Sequence, residues 1–196
     1  PGTKLPTLGH VTYEELKQAY SLSAKGLIDG GCDALLIETT QDLLQAKAAV
    51  NGARESISTA GRDVVLIAQV TVETTGPMLL GSEIGAALNS LEALGVDLIG
   101  MNCATGPSEM SEHLRTLSQN SEIGISCMPN AGLPILKDGG AYYPLTPEEL
   151  AKALAQFVAD YGVKLVGGCC GTTPEHLEAV VKLLSGQKVE KKHPSK

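Results

Sequence analysis

Short apolar segments alternate with longer amphipathic segments along the chain, and this alternation restricts the possible folds more than any other feature. Five apolar runs have the length of β-strands, namely Ala34–Glu38, Val64–Val70, Asp97–Asn102, Ile123–Cys127 and Lys164–Gly167. Their nearly continuous apolar character is typical of parallel strands that are covered on both faces. Successive runs are roughly 30 residues apart, which predicts an α/β fold of repeated βα units.

The segments between these runs carry helix start and stop signals. Thr12 and Glu15 form a capping box, and this helix is expected to end at Gly30–Gly31. The string Thr146–Glu149 combines an N-cap threonine, a proline at the first helical position and a capping-box glutamate. Helices are expected at residues 12–30, 41–58 (with Leu44, Ala48 and Ala49 on one apolar face), 82–94, 108–117, 146–161 and 173–184.

Composition excludes several classes of partner. The formal net charge of −7 over 196 residues repels polyanions, so neither nucleic acid nor an anionic membrane surface is expected to bind. With no Trp and one Phe, the chain has few rings on which bases or sugars could stack. No apolar run approaches the roughly 18 residues of a membrane span, and the start of the chain has no apolar signal segment. We therefore expect a cytoplasmic protein.

Three of the five cysteines follow predicted strands. Cys103 lies after the third strand, and Cys169 and Cys170 lie after the fifth. In parallel α/β folds the catalytic and ligand-binding residues lie at the carboxyl ends of the strands. An odd number of cysteines, two of them adjacent, argues against a disulfide scaffold. Cys32 and Cys127 lie elsewhere, and we interpret them as small core residues.

From the residues alone, the adjacent pair Cys169 and Cys170 has three interpretations. Both side chains can face one centre only where the backbone leaves strand geometry, and Gly167, Gly168 and Gly171 allow this. Together with Cys103 they would then form a three-thiolate site that suits zinc and leaves one position open. Alternatively, the glycine-rich segment before a Thr-Pro helix start binds phosphate. In the third interpretation the cysteines only pack.

Further polar candidates follow the predicted strands. The carboxylate of Glu38 could bind a substrate ammonium group, or it could complement the dipole of the next helix. Asn102 and Asn130 could offer amide oxygens to the site, or could form turns. Surface or capping roles are expected for the remaining candidates, which are Asp42, His10, His113, His176 and His193.

Several strings resemble the homocysteine S-methyltransferase domain family. They are GMNCATGP (100–107), MPNAGLP (128–134), VGGCCGTTPEH (166–176) and IETTQDLLQAKAA (37–49). The resemblance covers nearly the whole chain. The motifs and their spacing are most similar to those of the homocysteine-binding domain of cobalamin-dependent methionine synthases. It implies a (βα)₈ TIM-barrel fold in which Cys103, Cys169 and Cys170 hold Zn²⁺. It also implies that Glu38 binds the substrate ammonium group.

The resemblance further implies a reaction. Homocysteine would lose its thiol proton at the zinc centre, and its sulfur would attack an electrophilic methyl group to give methionine. Methylcobalamin would serve as donor only through other modules. Alternatives are a betaine or S-methylmethionine donor, a truncated zinc-binding module without activity of its own, and a phosphate-binding barrel enzyme with inert cysteines.

The chain is short for such a barrel. Eight βα units need about 250 residues, and only five strands are predicted. By motif order these are the last five, so residues 1–186 are expected to form the C-terminal part of the barrel, and 187–196 a charged tail or linker start. Two strand edges would then lack neighbours. The expected partners are the missing N-terminal half, a complementary chain or a second copy, together with cobalamin and folate modules.

Overall fold

A parallel sheet flanked by helices forms the centre of the computed structural model, which describes residues 4–137 and 139–186. The tail predicted at 187–196, including His193, lies outside these residues. In chain order the elements are a 3₁₀ helix Pro6–Leu8, α1 Tyr13–Asp29, β1 Ala34–Thr40, α2 Leu43–Ser58, β2 Val65–Val70, α3 Ile84–Ala93, β3 Leu98–Asn102, α4 Pro107–Asn120, β4 Gly124–Met128, β5 Ile135–Lys137, β6 Gly140–Tyr142, α5 Pro147–Tyr161, β7 Leu165–Val166 and α6 Pro174–Leu184.

The main sheet has five strands in the order β1-β2-β3-β4-β7, and every neighbouring pair is parallel. Each strand is therefore connected to its neighbour in the sheet through one helix. The connection from β4 to β7 also contains the hairpin β5–β6, which precedes α5. Among the described strands, β1 and β7 each have one neighbour only. The predicted α/β fold with five parallel strands is confirmed.

The two faces of the sheet have different environments. Leu35 and Ile37 of β1 belong to the main core with the helices. Because strand side chains alternate, Leu36 and Glu38 lie on the other face. Leu36 is 39% exposed although it is apolar. The side of β1 that would face the interior of a closed barrel is therefore open to solvent.

Helix α2 packs closely against α1 through small residues. A Cβ added at Gly52 would lie only 2.3 Å from the backbone oxygen of Lys17, and Ala48 and Ala49 are fully buried. Leu44, which was predicted to lie on one apolar face with Ala48 and Ala49, is in the first turn of α2 and is 37% exposed.

Local helix signals agree closely with the structure. Thr12 and Thr146 each cap a helix and form the expected capping boxes with Glu15 and Glu149. Helix α2 begins at Leu43, two residues later than predicted, because the carboxylate of Asp42 accepts a hydrogen bond from the Leu44 amide at 2.9 Å. Within the described ranges, no helix is long and apolar enough to cross a membrane.

The hairpin that precedes α5 was not predicted. Strands β5 and β6 form an antiparallel hairpin between β4 and α5. All six of its residues are exposed, and Leu136 is 84% exposed. Three-residue strands without a buried face leave no apolar alternation in the sequence, which explains the omission.

Candidate metal centre

Three cysteine sulfurs converge at the carboxyl edge of the sheet. Cys103 directly follows β3, and Cys169 and Cys170 follow β7. The Sγ atoms of Cys103 and Cys170 are 3.7 Å apart, and the three Sγ atoms all lie within 4.8 Å of one another. All three are free thiols; Cys103 and Cys169 are half-buried, whereas Cys170 is exposed. The expected convergence of these residues is therefore found in the structure.

The backbone leaves regular geometry where the cysteines meet. Cys103 and Ala104 have φ values of 63° and 58°, in the left-handed region that non-glycine residues rarely occupy. Residues in such backbone conformations cluster at functional sites. After β7, Gly168 lies so close to Thr172 that an added Cβ would be 2.2 Å from its Oγ1, and Gly171 has a φ of 78°. Glycines on both sides of Cys169 and Cys170 therefore give this segment a course that other residues would not easily adopt.

Asn102 connects the first strand to the cysteines. Its side chain is fully buried, and its Oδ1 accepts a hydrogen bond from the Thr39 amide at 2.8 Å. Its Nδ2 donates to Thr39 Oγ1 at 2.8 Å and to Cys169 Sγ at 3.7 Å. Thr39 itself has a φ of 57°. Asn102 thus holds a strained residue of β1 beside the cysteine cluster, and its predicted contact with substrate stays a prediction.

Asn130 orients Cys170 from the other side. Its buried Oδ1 accepts a hydrogen bond from the Cys170 amide at 3.1 Å. The next residue, Ala131, donates its amide to the Cys170 carbonyl at 2.9 Å. The peptide groups on both sides of the Cys170 α-carbon are therefore held by the segment after β4. A role of Asn130 toward substrate or metal stays a prediction.

Glu38 lies towards the carboxyl end of β1. It is solvent-exposed and directly precedes Thr39, whose amide Asn102 holds. No hydrogen bond or ion pair of its carboxylate is found within the described part of the chain. Its role toward a substrate ammonium group stays a prediction.

Burial shifts the pKa values of two of the three thiols, Cys103 and Cys169. It raises the pKa of Cys103 to about 12, with the neighbouring sulfurs of Cys169 and Cys170 contributing to the increase. Burial also raises the pKa of Cys169. Among residues 4–137 and 139–186, the groups that act on these thiols include no Lys or Arg side chain. A bound cation is therefore the group that would stabilise them as thiolates.

The remaining candidates have structural environments. Cys127 is buried in β4, with its Sγ 3.9 Å from the Met110 Sδ. The imidazole of His176 contacts Thr173 Oγ1 through Nδ1 at 2.9 Å and the Leu145 oxygen through Nε2 at 2.9 Å. It thus caps α6, in agreement with the expected capping role. Asp42 also acts as a cap, and it additionally binds the amide and hydroxyl of Thr7.

Comparison with known proteins identifies the family of this chain. A family model described as homocysteine S-methyltransferase matches residues 1–184. The chain belongs to the homocysteine S-methyltransferase family. The resemblance found in its sequence motifs is therefore confirmed.

Two relatives within the homocysteine S-methyltransferase family are closely similar in sequence. Methionine synthase of Mycobacterium tuberculosis is 62% identical over 188 residues, which cover 96% of this chain and 16% of the relative. Methionine synthase of Mycobacterium leprae is 64% identical over 180 residues, which cover 92% of this chain and 15% of the relative. The chain thus spans about one sixth of the length of these proteins.

Solved structures of the family share the fold. The homocysteine methyltransferase MmuM from Escherichia coli in its apo form superposes with a TM-score of 0.69 and 22% identity, covering 89% of this chain and 58% of that chain. Its metallated form gives a TM-score of 0.63 at 22% identity, with coverage of 84% and 51%. This likeness confirms the barrel-type α/β fold. The chain matches little more than half of that structure, as expected for an incomplete barrel.

One residue at this family site was missed in the sequence. Tyr143 lies between β6 and α5, and its ring packs on Gly171, next to Cys170. Burial and these neighbouring thiols raise the pKa of the Tyr143 phenol. Tyr143 does not follow a strand of the main sheet, so its position along the chain carries no signal of this contact.

Proposed function

We propose that this chain holds Zn²⁺ through Cys103, Cys169 and Cys170 and activates the thiol of homocysteine for methyl transfer, which gives methionine. The convergence of three free sulfurs carries the proposal. Tetrahedral zinc with Zn–S bonds of about 2.3 Å separates its sulfurs by about 3.8 Å, and the Cys103–Cys170 distance is 3.7 Å. The donor set therefore fits the ion with little rearrangement.

The arrangement leaves one side for a substrate. Cys170 is exposed while Cys103 and Cys169 are half-buried, so a thiol ligand would approach from the side of Cys170. When bound, Zn²⁺ would favour the thiolate form of that ligand, which is the nucleophilic form. The three cysteinates carry more negative charge than the ion neutralises, and this excess keeps a fourth sulfur electron-rich. Asn102 and Asn130 hold Cys169 and Cys170 in place for this role.

X-ray absorption at the zinc edge tests this function. We expect three sulfur ligands in the zinc-loaded chain and a fourth sulfur after homocysteine is added. Methionine, a thioether, is the control and should leave the sulfur shell unchanged. If the number of sulfur ligands did not increase after homocysteine was added, the proposed activation of the substrate would be contradicted. That result would favour a zinc-binding module without activity of its own.

Glu38 is proposed to bind the ammonium group of homocysteine. We expect Glu38→Gln to raise the Kd for homocysteine about fivefold, because an exposed ion pair contributes at most about 1 kcal/mol. Calorimetric titration of the zinc-loaded chain measures this change. Glu14→Gln is the matched control, since Glu14 is an exposed glutamate of α1. Equal Kd values for the wild type and Glu38→Gln would remove Glu38 from the substrate site.

Methylcobalamin is the methyl donor that we propose for the complete protein, and it would be held by other modules. The observation that favours it over betaine or S-methylmethionine is the 62–64% identity to two methionine synthases. Those relatives are about six times longer than the matched region. Cobalamin and folate modules would accordingly act as partners of this chain.

We also propose that residues 1–186 form the C-terminal part of a barrel whose other βα units pair with β1 and β7. Each of these strands has one neighbour among the described strands. The exposed Leu36 on the open face of β1 would be covered by the added units. A complementary chain or a second copy could supply the same cover.

A further inference from the structure

Tyr143 lies beside the cysteine cluster. A Cβ added at Gly171 would lie 2.3 Å from the Tyr143 Cγ and 2.7 Å from its Cδ2, so the ring rests directly on the Gly171 backbone, next to Cys170. Its phenol group lies close enough to the three cysteines for their sulfurs to affect it electrostatically. The aromatic ring therefore stands beside the exposed sulfur of the cluster.

The segment that carries Tyr143 is anchored to the site. Leu145, two residues further on, donates its amide to the Ala131 carbonyl at 3.0 Å. Ala131 in turn donates its amide to the Cys170 carbonyl at 2.9 Å, and His176 Nε2 lies 2.9 Å from the Leu145 oxygen. The exposed hairpin β5–β6 thus has a fixed base. This base holds the Tyr143 ring against Gly171.

The chemistry of the pair suggests what Tyr143 does. A tyrosine hydroxyl is protonated at neutral pH and can donate one hydrogen bond. A hydrogen bond to a charged acceptor withdraws negative charge from it, and partners of metal ligands adjust the donor strength of those ligands. Cys170 is the exposed cysteine of the three. Its sulfur is therefore the one that most needs shielding from solvent.

We propose that Tyr143 is a positioning residue of the metal centre, which donates a hydrogen bond to the Cys170 sulfur and forms a wall where a thiol substrate approaches. This inference rests on the proposed function, because it requires that the three sulfurs bind a metal ion. Tyr143 would moderate the charge on one ligand. It would also limit the directions from which a substrate reaches the cluster.

Cobalt substitution tests this role through a spectroscopic signal. Co²⁺ bound by thiolates shows sulfur-to-metal charge-transfer bands in the near ultraviolet. We expect Tyr143→Phe to bind as much cobalt as the wild type and to shift these bands to longer wavelength, because a sulfur without its hydrogen bond gives up electron density more readily. Tyr142→Phe is the matched control, since Tyr142 is exposed on β6 with its ring beside the Lys137 ammonium group.

The outcomes separate the two proposals. A shift in Tyr143→Phe alone supports the role of Tyr143. Identical bands in the wild type and in both variants, a shift to shorter wavelength, or loss of cobalt from Tyr143→Phe would overturn it and leave the zinc site standing. A wild-type chain without thiolate bands would overturn the metal site itself and this inference with it.

Discussion

Replacing Cys103 by serine is expected to lower the bound zinc from about one ion per chain to almost none. The proposed site has three protein ligands and one open position, so the loss of one cysteine leaves only two protein ligands. Even four-ligand structural zinc sites bind with apparent free energies of about 10–16 kcal/mol, which a few metal–ligand bonds supply. A serine hydroxyl is a much poorer ligand than a thiolate. Cys170→Ser should have the same effect, because the two sulfurs lie 3.7 Å apart in one cluster. Elemental analysis after dialysis against a weak chelator measures the loss.

Cys32→Ser provides the matched control for this experiment. Cys32 is also a half-buried free cysteine, but it precedes β1 at the opposite edge of the sheet and lies outside the cluster. Zinc should remain at about one ion per chain in this variant. Retention of zinc in both Cys103→Ser and Cys170→Ser would rule out the three-thiolate site. Loss in all three variants would indicate an effect on folding instead.

Gly100→Ala is expected to lower the free energy of unfolding by about 3 kcal/mol or more. An added Cβ would lie 2.0 Å from the backbone oxygen of Ser126 and 2.1 Å from its Oγ. Gly100 and Ser126 are register partners on β3 and β4, so the clash is with backbone that pairing holds in place. The same serine hydroxyl is 3.1 Å from the amide nitrogen of Gln69 on β2. Denaturant unfolding followed by circular dichroism measures the change.

A glycine-to-alanine substitution in α1 should have the opposite effect on the free energy of unfolding. Gly26 is exposed in the interior of that helix, and an added Cβ would meet nothing within 4 Å. Gly26→Ala is therefore expected to raise the free energy of unfolding by about 0.5–1 kcal/mol, since alanine favours the helix over glycine. Equal effects of the two substitutions would contradict the close packing inferred at Gly100.

Features that depend on neighbouring residues in the chain were predicted well. The capping boxes at Thr12 and Thr146 depend on residues three positions apart, so their signals are complete in a short string. The five parallel strands were recognised because each is a short apolar run between helical segments. The three clustered cysteines were found for a related reason, since each follows a strand and such positions meet at one edge of a parallel sheet.

Contacts between distant segments were not predicted. Asn102 holds Thr39 across 63 positions of the chain, and no local pattern indicates which partner a buried amide will find. Helical periodicity grouped Leu44 with Ala48 and Ala49 on one apolar face, but it does not show that Leu44 is 37% exposed while both alanines are fully buried. The hairpin β5–β6 has no buried face, so it lacks the alternation that reveals a strand.

The sequence by itself determined the α/β class, the positions of the six α-helices and of the five parallel strands, and the identity of the three cysteines, because these follow from residue type and spacing along the chain. Only the tertiary structure decided that the sulfurs of Cys103 and Cys170 lie 3.7 Å apart. It alone also decided that Tyr143 rests on Gly171 beside them. Such distances depend on how separate helices and strands pack and on the strained backbone at their ends. A local sequence pattern does not specify either of these features.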